Sequence, residues 1–319
     1  MATSAPRQGA RPAQQRAEWL AATLPPLLVR AERVAATVAQ GVHGRRRVGT
    51  GDTFWQFRRY EPGDPTQRID WRRSAKSDTL FVRESEWEAA ASVWLWCDRS
   101  PSMMYRSSPA LSDKAERAAL LVLALAALLV RGDEHIALLG SGLSPRPGRA
   151  ALNRIALLLE RQRTERPLAR TARAGGQAIN LAGGASGSLP AYELLPRHGQ
   201  LVLMGDLLAP LEEIDALVRR FAGRGLKGHL LQVMDPAEET LPFVGRTRFE
   251  GLEDEGEVLV RRVEAVREAY ATELSTHRAG LSAIARAVGW NFTTHRTDHP
   301  PEHALLALYA HLSASWDEL

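Results

Sequence analysis

A single cysteine, Cys97, excludes an intramolecular disulfide and any cysteine-based metal cluster. It lies inside the apolar run Ala91 to Cys97, where a thiol serves as a small buried hydrophobe. Long apolar runs are also missing. The longest, Ala118 to Val130, has thirteen residues, against the roughly 20 that a membrane-spanning helix needs. Charge of one sign does not dominate: 41 Lys plus Arg against 37 Asp plus Glu leave +4. The two signs are mixed along the chain, so a pI near 9.5 permits nucleic-acid binding without arguing for it. No Gly-x-x-x-x-Gly-Lys-Ser/Thr loop marks a nucleotide hydrolase, and no Gly-x-Ser-x-Gly elbow marks a serine hydrolase. His135, His198, His229, His295 and His299 are dispersed without zinc-type spacing. His295 and His299 are four apart, but they fall between an expected strand and Pro300-Pro301, so no helix aligns their rings. There is no internal repeat, and Arg45-Arg46-Arg47 reads as a solvated charge run.

What is present suits a globular protein: 45% hydrophobic and 24% charged residues over 319 positions allow a sizeable core without help from disulfides or metals. Residues 1–16, rich in Ala, Gln, Pro and Arg with no apolar core of signal-peptide type, read as a disordered tail of a cytoplasmic protein. Residues 17–48 carry a helical segment, broken at Pro25-Pro26 and ended by Gly41. Residues 49–90 change character, with Phe54, Trp55, Phe57, Tyr60, Trp71, Phe81 and Trp87 among dense charges. Thr53 to Tyr60 and Thr79 to Glu84 read there as strands, and Glu61 to Asp64 as a turn.

From residue 91 to 319 strand and helix patterns alternate. Strands are expected at Ser92–Cys97, Glu134–Leu139, Gln200–Met204, Gly228–Val233 and Trp290–His295. Helices are expected at Asp113–Arg131, Ala150–Arg161, Leu211–Phe221, Val263–Val288 and Glu302–Ser313. A Gly, Ala and Ser-rich loop covers Gly175 to Ser188, and Phe249 to Arg261 reads as a hairpin about Asp254-Glu255-Gly256. The first long helix is apolar nearly all round, which means burial on more than one side. The alternation predicts an α/β fold, a mostly parallel sheet flanked by helices, with the loops after the strands gathered along one ligand-binding edge.

The chemistry concentrates on that edge. Directly after the first central strand comes Asp98-Arg99-Ser100-Pro101-Ser102, which spaces three oxygen-bearing side chains, Asp98, Ser100 and Ser102, at i, i+2 and i+4. Leu201 to Met204 ends in Gly205-Asp206, whose carboxylate reaches the same edge. Carboxylate and hydroxyl oxygens suit a hard cation such as Mg²⁺ or Mn²⁺. The same residue types also cap helices and make turns.

This arrangement resembles the metal-ion-dependent adhesion site of von Willebrand factor type A domains, a Rossmann-like fold. The resemblance implies metal ligation by Asp98, Ser100, Ser102 and Asp206, with Gln177 standing in Gly175-Gly176-Gln177 where the family carries a Thr. A longer stretch, Phe57-Arg58-Arg59-Tyr60-Glu61-Pro62-Gly63-Asp64 through Arg68-Ile69-Asp70-Trp71 and on to Ser74-Ala75, is similar to the signature of the domain-of-unknown-function 58 family. That family carries an Arg-x-Tyr-x-x-Gly-Asp turn, an Ile-Asp-Trp segment and then a type A domain. The β-rich region 49–90 is thus an N-terminal appendage. Its Tyr60, Asp64, Arg68, Asp70 and Trp71 either lock a hairpin onto the domain through Arg–carboxylate pairs or present a docking face.

Three functions compete. A non-catalytic protein-interaction module is favoured. The family resemblance implies an adaptor or co-chaperone beside a MoxR-type AAA+ ATPase, acting on a client protein. The alternative is a metal-dependent hydrolase built on Asp64, Asp70, Asp98 and Asp206. Nucleic-acid binding needs one continuous basic face, which the interleaved acids of Asp52 to Glu88 deny.

Overall fold

The computed structural model describes residues 26–41, 54–59, 71–75, 79–85, 92–164, 188–197, 199–250, 252 and 256–316. The Glu61–Asp64 turn, the glycine-rich loop up to residue 187, and Tyr60, Asp64, Arg68, Asp70 and Gln177 lie outside them.

The first described element is helix α1 (Pro26–Gly41). Its first residue is Pro26, a position where a missing N–H costs nothing. Next come strand β1 (Phe54–Arg59), a single helical turn α2 (Trp71–Ser74) and strand β2 (Phe81–Ser85). β1 and β2 pair antiparallel as a sheet of their own. The Ser74 hydroxyl ties the turn to this hairpin by accepting from the Phe81 N–H at 2.9 Å.

The α/β part follows. Strands β3 (Ser92–Cys97) and β4 (His135–Leu138) are joined through helix α3 (Lys114–Arg131). Helix α4 (Gly148–Thr164) precedes strand β5 (Gln200–Gly205), and helix α5 (Leu211–Ala222) leads to strand β6 (Lys227–Met234). After β6 come a short helix α6 (Pro236–Thr240) and a hairpin of β7 (Thr247–Glu250) and β8 (Glu257–Val260). Helix α7 (Val263–Ala287), strand β9 (Asn291–Arg296) and helix α8 (Pro301–Trp316) close the described fold. The central sheet has the order β4-β3-β5-β6-β9, every neighbouring pair parallel. The order in which strands are added therefore reverses between β3 and β5, the place where doubly wound sheets open a crevice at the carboxyl ends of their strands.

Alternation along the strands divides the core in two. Val93, Leu95 and Cys97 face a cluster shared with α1, α3, α4 and α8, whereas Trp94 and Trp96 face one shared with α5 and α7. In α1 the buried positions Leu27, Leu28, Ala31, Val34, Ala35 and Val38 form one helical stripe. That stripe belongs to the first cluster, so residues 26–41 pack into the α/β core. Helix α3, covered on several sides, buries residues from Lys114 to Leu129 almost without interruption. Among the described residues no helix is long and apolar enough to cross a membrane.

Gly228 in β6 shows how tightly the second cluster is packed. A Cβ there would sit 2.3 Å from Cδ2 of Trp290, whose indole N–H is fixed on the Leu226 carbonyl at 2.9 Å. Gly228→Ala is expected to destabilise the protein by about 1–3 kcal/mol, read as a lower urea midpoint at unchanged slope.

Two buried histidines give the fold an acid limit. Burial, then His311, lowers the His229 imidazole from 6.5 to about 3; burial, then Arg117, lowers His295 likewise to about 3. The unfolded chain thus takes up protons on these rings near pH 6.5 while the folded chain resists. Their stabilisation is complete above pH 6.5 and drains away as the pH falls toward 3, by about 1.4 kcal/mol per pH unit for each ring. Urea unfolding across that window is expected to show a shallower pH slope for His229→Leu than for the native protein.

Candidate functional site

An acid follows each of three central strands: Asp98 after β3, Asp206 after β5 and Asp235 after β6. All three are buried, at 0%, 1% and 0% exposure. The Asp98 N–H extends the β3–β5 ladder by one bond, donating to the Met204 carbonyl at 2.8 Å. The Asp98 side chain then turns back, and its Oδ1 accepts the Ser100 N–H at 2.8 Å, fixing the loop in a tight turn. This turn requires Gly205 beside it, because a Cβ there would meet the Asp98 Cβ at 2.7 Å. A 3₁₀ turn, Pro101–Met104, follows and carries Ser102 over the edge.

Asp98, Ser100, Ser102 and Asp206 therefore come together as their spacing suggests. Ser100 Oγ and Ser102 Oγ lie 3.0 Å apart, and Ser102 Oγ donates to Asp206 Oδ2 at 2.6 Å. Asp206 is steadied from behind, its carbonyl accepting from Gln232 Nε2 at 2.9 Å. Arg278 Nε in turn donates to Gln232 Oε1 at 2.7 Å. The His277 Nε2–H donates to the Leu207 carbonyl at 2.7 Å, in a segment where Leu207 holds a left-handed backbone with φ 50°.

Three residues outside the expected set complete the site. Lys114, the first residue of α3, is fully buried and donates to Asp206 Oδ2 at 3.1 Å and to Glu238 Oε1 at 2.6 Å. Glu238 and Asp235 form a capping box on α6: Asp235 Oδ1 accepts the Ala237 N–H at 2.8 Å and Glu238 Oε2 accepts the Asp235 N–H at 3.0 Å. Asp235 Oδ2 takes the Ser107 N–H at 2.8 Å, which pins the loop after β3 to the end of β6. Burial pulls the Lys114 amine down, but the Asp206 and Glu238 carboxylates and their hydrogen bonds outweigh it. The amine stays protonated with a pKa raised above the usual lysine range.

All three had sequence signals. Asp235-Pro236-Ala237-Glu238 has an N-cap acid, a proline at the first helical position and a glutamate at the third, directly after an apolar strand. Lys114 puts a positive charge in the first turn of a helix, against the macrodipole. In a helix apolar all round, that position demands carboxylate neighbours.

A type A site would hold a divalent ion on these oxygens, so their fit to one can be tested. Asp206 Oδ2 already accepts a hydroxyl and an ammonium. An ion at the ~2.1 Å that Mg²⁺ demands would lie no more than about 5 Å from the ammonium. Their repulsion at an effective dielectric of about 20 is roughly 6 kcal/mol. Two of the carboxylates that would oppose this repulsion, Asp206 and Glu238, are paired with the same lysine. Among the described residues, no group of three or more His, Cys, Asp or Glu side chains is arranged to hold a metal ion. The donors present fit an ammonium and do not fit a divalent ion beside it.

The chain matches the family model described as protein of unknown function DUF58 over residues 56–280. It belongs to that family. Among curated proteins, uncharacterized proteins of Mycobacterium bovis and Mycobacterium tuberculosis are 27% identical over 282 residues, spanning 88% of this chain and 85% of theirs. Among solved structures, an aerotolerance-related membrane protein from Bacteroides fragilis aligns at TM-score 0.40 and 15% identity, over 70% of this chain and all of that one. Conserved hypothetical protein BatB from Bacteroides thetaiotaomicron aligns at TM-score 0.37 and 13% identity, with coverage of 70% and 100%.

Of the remaining family-signature residues, Trp71 is described and is 63% exposed.

The edge is expected to behave as a stability element. Asp206→Asn removes one carboxylate from a buried ammonium and is expected to cost about 3–5 kcal/mol. Ser102→Ala removes one hydrogen bond to that carboxylate and should cost nearer 1–3 kcal/mol. Chemical denaturation of the two variants beside the native protein measures both.

Proposed function

We propose that this protein is a non-catalytic interaction module with a von Willebrand factor type A-like fold, an adaptor or co-chaperone whose partner is a MoxR-type AAA+ ATPase. The observation that carries the reading is the β7–β8 hairpin, which holds apolar side chains in solvent on a rigid base. Val258 is 61% exposed and Leu259 49%, with Val244 and Val266 exposed beside the hairpin's foot. Phe249 faces Val258 across the ladder and packs edge-on against Phe243 at 5.6 Å.

The base is pinned to α7. Arg267 donates from Nε to the Leu241 carbonyl and from Nη2 to the Phe243 carbonyl, both at 3.0 Å. Val263 N–H reaches the Gly245 carbonyl at 3.1 Å, and Glu264 Oε1 accepts the Gly245 N–H at 2.8 Å. Apolar residues grouped on a rigid projection mark a contact surface, and preorganisation lowers the cost of binding there. The ATPase as partner comes from the family resemblance, and the client is an unidentified protein.

The hydrolase alternative draws no support from this geometry. Of its four acids, Asp98 and Asp206 are described; both are buried and engaged in holding the edge together.

The test is binding of the full chain to a MoxR-type ATPase from the same organism, by biolayer interferometry, with the ATPase rate followed in parallel. Val258→Asp combined with Leu259→Asp is expected to weaken the complex at least tenfold, since truncated contact anchors cost more than ~1 kcal/mol each. Its unfolding midpoint should not move. Leu157→Asp, at an exposed position on α4, is the control and should bind as the native chain does. Equal affinity for the hairpin variant, or no complex with the native chain, defeats the proposal.

A further inference from the structure

We propose that Lys114 is the resident cation of the Asp98, Ser100, Ser102 and Asp206 constellation, its ammonium supplying at Asp206 the positive charge that a divalent ion would bring and making the carboxyl edge a metal-independent lock. This does not rest on which partner the hairpin binds.

The geometry forms one continuous chain of contacts. Glu238 Oε1 accepts from Lys114 Nζ at 2.6 Å, and Lys114 Nζ donates onward to Asp206 Oδ2 at 3.1 Å. Asp206 Oδ2 accepts from Ser102 Oγ at 2.6 Å, and Ser102 lies 3.0 Å from Ser100. The Ser100 N–H closes the chain on Asp98 Oδ1 at 2.8 Å. The ammonium is thus joined to the oxygens of the two described loops that would ligate a metal, those after β3 and β5.

Its position is enforced by the helix it begins. Asp113 caps α3 by accepting the Glu116 N–H at 2.6 Å, and the residues that follow Lys114 are buried against the sheet. Lys114 itself has no exposure, so the side chain has no path to solvent short of moving the helix. A buried cation at a helix N-terminus is opposed by both the dipole and the lost hydration, and only its carboxylates hold it there.

The chemical consequence separates this edge from a metal port. A divalent ion can keep an open coordination position for a carboxylate from a partner. An ammonium directs its hydrogens to fixed acceptors and offers no such position. Chelation should therefore leave the protein's stability and associations unchanged.

Isothermal titration with Mn²⁺ and Mg²⁺, and thermal unfolding with each ion or with EDTA, test this on the full native chain. No saturable binding and an unmoved midpoint are expected. Lys114→Ser should then bind Mn²⁺ at least tenfold more tightly than the native chain and regain midpoint when Mn²⁺ is added. Saturable Mn²⁺ binding by the native chain that Asp206→Asn removes overturns the proposal. So does a folded Lys114→Ser protein that binds no more Mn²⁺ than the native one. If Lys114→Ser does not fold, Lys114→Met combined with Asp206→Asn removes both charges of the pair. That double variant should be more stable than the sum of the single losses requires, and strict additivity would overturn the assignment.

Discussion

The burial of α3 on nearly every side is the constraint from which the rest of the structure follows. A helix that is apolar all round cannot be covered by a sheet alone, so α1, α4 and α8 must close over it. This is why a segment separated from the sheet by the whole β1–β2 region returns to the same core. It also fixes what happens at the helix start. Lys114 cannot reach water, and the edge of the sheet has to supply carboxylates. The polar constellation at the carboxyl edge is in this sense the continuation of a packing problem by electrostatic means.

Seen from the sheet, the same contacts join three loops that topology alone would leave independent. The loops after β3, β5 and β6 leave adjacent strands. They are tied by Ser102 to Asp206, by Lys114 to Asp206 and Glu238, and by Asp235 to the Ser107 N–H. A buried ion pair adds little net stability against an apolar substitute, but removing one member leaves an uncompensated charge. The arrangement therefore specifies a single loop geometry more than it deepens the energy well, which suits a scaffold better than a reaction site.

Much of this was legible in the sequence where one signal spoke alone. Ser92–Cys97 reads as a strand from its apolar and β-branched run, and it is one. The hairpin about Asp254-Glu255-Gly256 is present, with Thr247 to Glu250 paired to Glu257 to Val260. Asp98, Ser100, Ser102 and Asp206 converge because each leaves the end of a neighbouring parallel strand, which spacing and alternation together imply. The failures came where two signals had to be combined. Lys114 follows the Asp113 cap and looks like an ordinary first-turn polar residue until the helix is known to be buried all round. Helix α6 is too short for periodicity to show, and only its capping box announces it. Asp64, Asp70 and Gln177 lie outside the described residues.

The two ends of the molecule's chemistry then divide by accessibility. Oxygen-rich side chains are buried at the edge where α/β proteins usually bind ligands, while apolar side chains are exposed on a hairpin that most folds would cover. Each inversion is costly by itself: buried charge loses hydration, and exposed Val258 and Leu259 invite aggregation unless something sits on them. A chain that must present a fixed shape to a partner has a use for both, because the locked edge holds the loops rigid while the hairpin, anchored through Arg267 and Glu264 to α7, supplies the contact area. Rigidity at the edge and apolar exposure at the hairpin are consistent with one requirement, that the surface be ready before the partner arrives.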